Sequence, residues 1–267
     1  MCRPTHYTIA YEINPWMSRR RQANRAQALA QWQRLYRLLA QTLRVGVRLL
    51  PPRPGVPDLV FTANAGLVHG RTFIRSNFRF PQRQREEPIV ERHFQRAGFR
   101  VVRLDPQVDF EGEGDALWMN GNLVLGFRFR SDAPAHEILA RLVGARVLPI
   151  ELTDDRFYHL DTCFCPLDAR RALWFPRAFD RYGRKVIETL AAEPLAVSEA
   201  DARHFVCNAI VIGQAVVVQS GLSAGLRRRL ERWGFRVYPV DLSEFLKAGG
   251  SAKCLVLRLA HSPGDSH

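Results

Sequence analysis

Residues Glu87 to Gly126 read E-P-I-V-E-R-H-F-Q-R-A-G-F-R-V-V-R-L-D-P-Q-V-D-F-E-G-E-G-D-A-L-W-M-N-G-N-L-V-L-G, and the order of patterns along them decides the fold. Glu87 to Ala97 has apolar residues at helical spacing. Gly98 to Leu104, G-F-R-V-V-R-L, reads as a strand. Gly114 to Gly126 reads as a hairpin turning at Asn120-Gly121, a dipeptide that tolerates the left-handed backbone of a tight turn. Between strand and hairpin lies the polar motif F-E-G-E-G-D, Phe110 to Asp115.

Working outward, the same order of helix, short strand, polar motif and apolar run recurs along the chain. Upstream stand a helix over Ala26 to Leu43, the strand V-G-V-R-L-L, and F-T-A-N-A-G-L-V followed by T-F-I-R. Downstream stand Ala135 to Val143, A-R-V-L-P-I, then L-D-T-C-F-C-P-L and A-L-W-F. A fourth copy has Tyr182 to Ala191, P-L-A-V, then C-N-A-I-V-I-G and A-V-V-V. The fifth has Ala224 to Trp233, G-F-R-V-Y-P-V, then A-K-C-L-V-L-R-L. The marker positions Phe61, Asp115, Asp161, Cys207 and Cys254 are 54, 46, 46 and 47 residues apart, a regularity that marks repetition. Alternating strands and helices also suit an open doubly wound sheet. Five ββα-type units more naturally close into a ring, each polar motif facing a central site. No Pro/Gly/Ser linker interrupts the chain, so 1–267 is expected to be one domain, with the residues after Leu259 reading as a disordered tail.

Composition bounds the function. With 267 residues, 46% hydrophobic and 24% charged, the chain can bury a sizeable core and is ordinary for a soluble protein. No apolar run approaches the roughly 20 residues needed to span a bilayer. The N-terminus M-C-R-P-T-H-Y lacks the order of a signal peptide, so a cytoplasmic protein with no membrane partner is expected. Five cysteines at irregular spacing do not form a disulfide framework. The net charge of +13, from 39 Lys and Arg against 26 Asp and Glu, raises nucleic-acid binding. Its clusters, Arg19 to Arg21 and Arg227 to Arg229, do not alternate with aromatic residues that would stack on bases. Solvated arginine-rich helix faces are the plainer reading, and no nucleic-acid partner is expected.

The chemistry-bearing residues lie far apart in sequence and need a closed fold to meet. Cys254 follows Gly249-Gly250, glycines that would let backbone approach a ligand, and Lys253 with a nearby imidazole could favour its thiolate. A cysteine opening an apolar strand is also an ordinary core residue; Cys2, Cys163, Cys165 and Cys207 compete for the role, the last three looking more like packing. His159 and Asp161 stand two apart in Y-H-L-D, so on a strand they would share a face, and an imidazole beside a carboxylate suits proton transfer. On the residues alone, a satisfied structural histidine is the more ordinary reading. Zinc at His159, Cys163 and Cys165 lacks a fourth ligand, so no metal is expected. Glu111, Glu113 and Asp115 form an acidic, glycine-loosened turn that could orient a histidine, bind a cation or cap itself. Asn14 and Asn64 would ordinarily be turn residues.

At these residues the chain resembles the guanidine-modifying (pentein) superfamily of arginine deiminases, dimethylarginine dimethylaminohydrolases and amidinotransferases. The likeness covers nearly the whole chain. H-Y-x-x-x-Y-x-I-N-P-W-M, P-D-L-V-F-T-A-N-A-G-L-V, R-Q-R-E-E-P, E-G-E-G-D-A-L, F-Y-H-L-D-T-C-F-C-P-L and E-F-L-K-A-G-G-S-A-K-C-L look like the arginine dihydrolase branch. The resemblance implies a five-bladed α/β propeller of ββαβ units around a central active site. It implies no cofactor, a small guanidino substrate, and conversion of arginine to ornithine, carbon dioxide and two ammonia; an oligomer is compatible with it. By resemblance Cys254 is the nucleophile, His159 the acid and base, and Glu111 its orienting partner, with Asp161 gripping the guanidinium. Arg130 matches an arginine for the substrate carboxylate, Arg83 is a second candidate, and Arg128 competes with Arg130. Asn14 belongs to the pocket mouth. Deiminases and dimethylaminohydrolases carry an aspartate where this chain has Asn64. An amide both accepts and donates hydrogen bonds, so Asn64 could hold arginine and the citrulline made from it. Glu113 stands where the family has a small residue and adds charge beside the site. The alternatives are a dimethylarginine hydrolase or deiminase giving citrulline, or a non-catalytic binding protein. The dihydrolases of cyanobacteria carry a further fused domain, absent here, so onward processing of ornithine is expected in another protein.

Overall fold

The computed structural model describes residues 1–259; the expected tail at 260–267 lies outside the described residues. Among the described residues, twelve strands form four three-stranded sheets of mixed α/β construction. The strands are β1 (Gly66–His69), β2 (Thr72–Arg75), β3 (Arg100–Val102), β4 (Ala116–Met119), β5 (Asn122–Phe127), β6 (Val147–Glu151), β7 (Phe164–Pro166), β8 (Arg171–Trp174), β9 (Glu193–Ala196), β10 (Ile210–Ile212), β11 (Ala215–Gln219) and β12 (Arg236–Val240). Each sheet is an antiparallel hairpin whose second strand pairs in parallel with a third, delivered by an intervening helix. Those helices, Glu87–Arg96, Ala135–Val143, Arg181–Leu190 and Ala224–Arg232, agree with the helical spacings to within a residue.

Local chemistry sets these boundaries. The β4–β5 turn has Asn120 and Gly121 at φ 49° and 73°, the left-handed pair that an Asn-Gly hairpin uses. Asp180 caps the third of the helices through Gly183 N at 2.7 Å, and Ser223 caps the fourth through Leu226 N at 3.2 Å. The buried faces of neighbouring sheets merge: Val124 of β5, Phe164 and Leu173 of the third sheet and Val216 of β11 share one hydrophobic cluster.

Two expectations fail locally. V-G-V-R-L-L is not a strand: only Leu50 pairs, in an isolated parallel bridge to Cys2, and the helix before it runs Arg25–Arg37 and then widens into a π turn, Leu38–Thr42. The segment around Cys254 does not open a strand either. Lys253–Leu255 is a 3-10 turn, followed by irregular chain to Leu259. In both places the described residues form no hairpin of the kind the other units supply, so the apolar run joins no ladder among them.

Candidate active site

The polar motifs share one local design. Thr62–Ala65, Gly112–Gly114, Leu160–Thr162 and Lys253–Leu255 are all short 3-10 turns, three of them just ahead of the first strand of a sheet. A tight turn at that place throws one or two polar side chains inward where a strand would alternate them. His159 therefore caps the turn Leu160–Thr162 and Asp161 lies within it, which replaces the expected shared strand face. The turns are tied to one another: Thr62 Oγ1 donates to Leu255 O at 2.9 Å, Asn208 Nδ2 to Asp161 O at 3.1 Å, and Lys253 N to Asn208 O at 3.2 Å. Thr62–Ala65 also packs on Gly112–Gly114, and that turn on Leu160–Thr162.

This arrangement brings Cys254, His159, Glu111, Asp161, Asn64 and Arg130 into one buried cluster, none more than 2% exposed. His159 Nε2 is 2.8 Å from Glu111 Oε2, and Arg130 Nη1 donates to the same oxygen at 3.0 Å. Burial alone would raise the Glu111 carboxyl, but the Arg130 charge and the His159 hydrogen bond outweigh it and hold it at about 2. Burial lowers His159 to about 4 despite the attraction of Glu111. The pair thus rests as carboxylate and neutral imidazole. Since a carboxylate only accepts, Nε2 carries the hydrogen and Nδ1 is the basic nitrogen. Glu111 Oε1 has no hydrogen-bond partner among the described residues, an open acceptor beside the histidine.

Cys254 meets Asp161 and Asn208. Its sulfur lies 3.5 Å from Asp161 Oδ2, and Asn208 Nδ2 approaches it to 3.1 Å. Burial, then the nearby Asp161, push the thiol well above its ordinary value. Burial also raises Asp161 to about 7, with Lys253 opposing. Lys253 acts on the thiol as expected, pulling it down against burial and Asp161, while its ammonium is also paired with Glu113 Oε2 at 2.7 Å. Glu113 adds charge beside the site as expected, raising Asp161, with Lys253 opposing it. Gly249-Gly250 make close approaches to the protein itself. A Cβ on Gly249 would stand 2.9 Å from Tyr158 Oη, and one on Gly250 2.4 Å from the Phe61 ring.

Asn64 and the arginines form the other wall. Arg83 grips Glu86 with two bonds, of 2.9 and 2.8 Å, and donates Nη1 to Asn64 Oδ1 at 2.9 Å. The amide oxygen of Asn64 is thereby engaged, and Nδ2 is directed toward Glu111, 3.5 Å from its carbonyl. Arg130 is sandwiched between Phe80 and Tyr158, 4.8 and 4.5 Å from the ring centres, and its Nη2 donates to Ile13 O at 2.9 Å. Arg128 instead is half exposed and paired with Glu151, so Arg130 is the inward one. Asn14 accepts from Trp16 N at 2.9 Å and donates to Ala248 O at 3.1 Å. It pins the Ile13–Met17 segment to the loop before Cys254. A cavity of about 50 Å³, lined in part by Glu113, Trp118, Cys165, Cys207 and Lys253, reaches Asp161 without touching Glu111, His159 or Asn64. Among the described residues, no group of three or more His, Cys, Asp or Glu is placed to hold a metal ion.

Sequence reasoning missed three members. Tyr158 bonds Gly249 O at 2.7 Å while stacking on Arg130. Asp58 is buried and accepts from Tyr11 Oη at 3.0 Å, and its Oδ1 has no hydrogen-bond partner among the described residues. Asn208 had a signal: like Asn64, it stands two residues before the first strand of its sheet.

Residues 9–261 match the family described as N,N dimethylarginine dimethylhydrolase, eukaryotic. The chain belongs to this family. Within the guanidine-modifying superfamily it stands in the arginine dihydrolase branch. It is 43% identical, over 99% of its length, to the bifunctional arginine dihydrolase/ornithine cyclodeaminase AgrE of a Nostoc species. It is 36% identical over 97% of its length to the N(G),N(G)-dimethylarginine dimethylaminohydrolase of Mycobacterium tuberculosis, covering 84% of that protein. The chain spans 38% of the length of AgrE. The N-terminal domain of cyanobacterial ArgZ, as a cysteine-to-serine variant bound to substrate, superposes with a TM-score of 0.93 at 41% identity, covering 97% of this chain and 96% of that one. These likenesses carry the mixed α/β fold of four three-stranded sheets over the whole described chain.

Proposed function

We propose that this protein is a cysteine-dependent hydrolase of free L-arginine, yielding ornithine, carbon dioxide and two ammonia through a bound citrulline. The observation that carries the reading is the Asn64 amide: Arg83 holds Oδ1, one Nδ2 hydrogen is directed at the Glu111 carbonyl, and the second N–H is left for a ligand. A ureido oxygen accepts hydrogen bonds, whereas guanidinium nitrogens only donate them. The donor side of Asn64 therefore suits the intermediate of a second hydrolysis. ArgZ as an asparagine-to-serine variant has been seen covalently bound to a reaction intermediate, which accords with an asparagine mattering in this branch.

The chemistry follows from the resting charges. Glu111 is anionic, while His159 and the Cys254 thiol are neutral. A guanidinium entering beside Glu111 and Asp161 brings the cation that makes a thiolate affordable in this buried site. Cys254 loses its proton to His159 Nδ1, and sulfur attacks the guanidinium carbon. His159 returns the proton to the departing ammonia, leaving a covalent thiouronium. Water, deprotonated by His159, then displaces sulfur to give citrulline. A second attack at the ureido carbon releases the second ammonia, and water frees a carbamate that breaks down to ornithine and carbon dioxide. Two waters are consumed in all. By the resemblance Arg130 would serve the substrate carboxylate, for which it must release both Glu111 Oε2 and the Ile13 carbonyl. Arg83, which holds Asn64, is the second candidate, and Asn14 belongs to the pocket mouth or the amino-acid end.

The five-bladed ring belongs to this proposal. It is supported by the tied order of polar turns and by the Cys2–Leu50 bridge, which joins the chain start to the unit that lacks a sheet. One catalytic domain and a cytoplasmic location complete the reading. The latter accords with five cysteines left free; among the described residues no helix is long and apolar enough to cross a membrane. The test is to incubate the protein with arginine and follow ammonia, citrulline and ornithine together. Ornithine with two ammonia per arginine is expected; citrulline with one ammonia would make it a deiminase, and no product would overturn the reading.

A further inference from the structure

Asn208 holds the nucleophile from both ends, and no motif or likeness assigns it a role. Its Oδ1 accepts from Cys254 N at 3.2 Å, and its Nδ2 reaches Asp161 O at 3.1 Å and Cys254 Sγ at 3.1 Å. The orientation of this amide is forced by its neighbours. A backbone N–H can only donate and a backbone carbonyl can only accept, so the oxygen must face Cys254 N and the NH₂ must face Asp161 O. The second amide hydrogen is then left for the sulfur. Asn208 is fully buried, so water cannot take its place.

We propose that Asn208 is the thiolate-holding residue of this site: its side-chain N–H stabilises the Cys254 sulfur anion in each round of attack. The inference rests on Cys254 being the nucleophile. A hydrogen bond to an ionised acceptor is stronger than one to its neutral form, so the donor favours the thiolate over the thiol that burial otherwise imposes. Its backing is rigid, because the same amide ties the turn carrying Asp161 to the turn carrying Cys254. Sulfur, carboxylate and donor are therefore fixed relative to one another before substrate arrives. Asp161 alone could not do this, since its charge opposes a neighbouring thiolate. Lys253 also favours the anion, but through its charge and with Glu113 as its direct partner at 2.7 Å, whereas Asn208 Nδ2 reaches the sulfur itself.

The test separates this role from the nucleophile assignment. In the parent protein, alkylation at Cys254 by iodoacetamide should track loss of arginine turnover; alkylation there with turnover intact would remove the nucleophile reading itself. With that established, Asn208→Asp keeps the acceptor for Cys254 N and deletes the donor. Its alkylation midpoint should move to higher pH, and kcat should fall roughly 10- to 100-fold, the range for a hydrogen bond to a charged group, with KM for arginine little changed. An unchanged alkylation profile with unchanged kcat would overturn the proposal. If Asn208→Asp does not fold, the Asn208 side-chain amide resonances of the parent decide. They should shift in step with ionisation of Cys254, and resonances that ignore it would overturn the role.

Discussion

His159 Nε2 stands 2.8 Å from Glu111 Oε2 with both side chains sealed from solvent, and the pair rests as neutral imidazole against carboxylate. This fixes a sign for stability against pH. The unfolded histidine takes a proton below its ordinary 6.5, whereas the native one waits until about 4. Between these values the unfolded state binds more protons, so the contribution of His159 falls as pH falls. Relative to His159→Asn, the parent should lose about 1.4 kcal/mol per pH unit between roughly pH 6.5 and 4.5. Below that window Glu111 begins to titrate in the variant. Urea unfolding of both proteins at three pH values checks this; a constant difference across the window would contradict it.

Asn64→Asp should separate the two hydrolytic rounds. The carboxylate can still accept from Arg83 and face a guanidinium, so the first round survives. It cannot donate to a ureido oxygen, so conversion of added citrulline should drop by roughly 10- to 100-fold, the worth of a hydrogen bond to a group gaining charge. Free citrulline should then accumulate from arginine. Ornithine output equal to that of the parent would remove Asn64 from the proposed mechanism.

Much of this site was legible in the sequence because its residues are tied to a repeat. The spacing of Phe61, Asp115, Asp161, Cys207 and Cys254 gave the inward motifs, and the Asn-Gly turn gave the hairpin that follows one of them. What stayed hidden is what the ends of elements do. His159 and Asp161 look like a strand pair because Y-H-L-D-T-C-F-C alternates, yet the chain makes a 3-10 turn there before β7 begins. That Lys253 bears on Cys254 was legible because the two are adjacent; that its ammonium also pairs with Glu113 was not, because Glu113 lies 140 residues away. Asn208 does not stand out in the sequence at all, because its contacts with Cys254 and Asp161 exist only once separate units close on one another.

Gly249 should tolerate no side chain. It has φ +78°, and a Cβ would sit 2.9 Å from Tyr158 Oη and 3.0 Å from Asn14 Oδ1. Gly249→Ala should cost roughly 1–2 kcal/mol for the left-handed backbone and about 1 kcal/mol more for the displaced Tyr158 hydrogen bond. Gly213 is the control: φ +53° with nothing within 4 Å of a Cβ, so Gly213→Ala should show only the backbone part. Because Tyr158 stacks on Arg130, Gly249→Ala should also raise KM for arginine, while Gly213→Ala should not. Equal unfolding midpoints and equal KM for the two variants would refute the packing account.

The Glu113–Lys253 pair, 2.7 Å long with side chains 2% and 10% exposed, predicts a response that single and double variants separate. Removing one partner strands a charge beside the turn carrying Cys254. Lys253→Met takes the ammonium away from the Glu113 carboxylate, which keeps the Arg258 N–H at 3.2 Å. Breaking a buried pair in this way typically costs about 3–5 kcal/mol, while replacing both partners by apolar groups of similar size is often neutral. Lys253→Met should therefore lower stability by an amount in that range, and Glu113→Gln with Lys253→Met should restore most of it. The two proteins should differ in chemistry as well. In Lys253→Met the cation that lowers Asp161 is lost while the Glu113 charge that raises it stays, so Asp161, whose carboxyl already sits near 7, rises further and turnover should require higher pH than in the parent. In the double variant only the loss of the cation remains, and the pH profile should lie between the other two. Thermal unfolding and pH-rate profiles on the three proteins decide the matter. Coincident profiles would mean that the pair is purely structural and that Asp161 does not sense it.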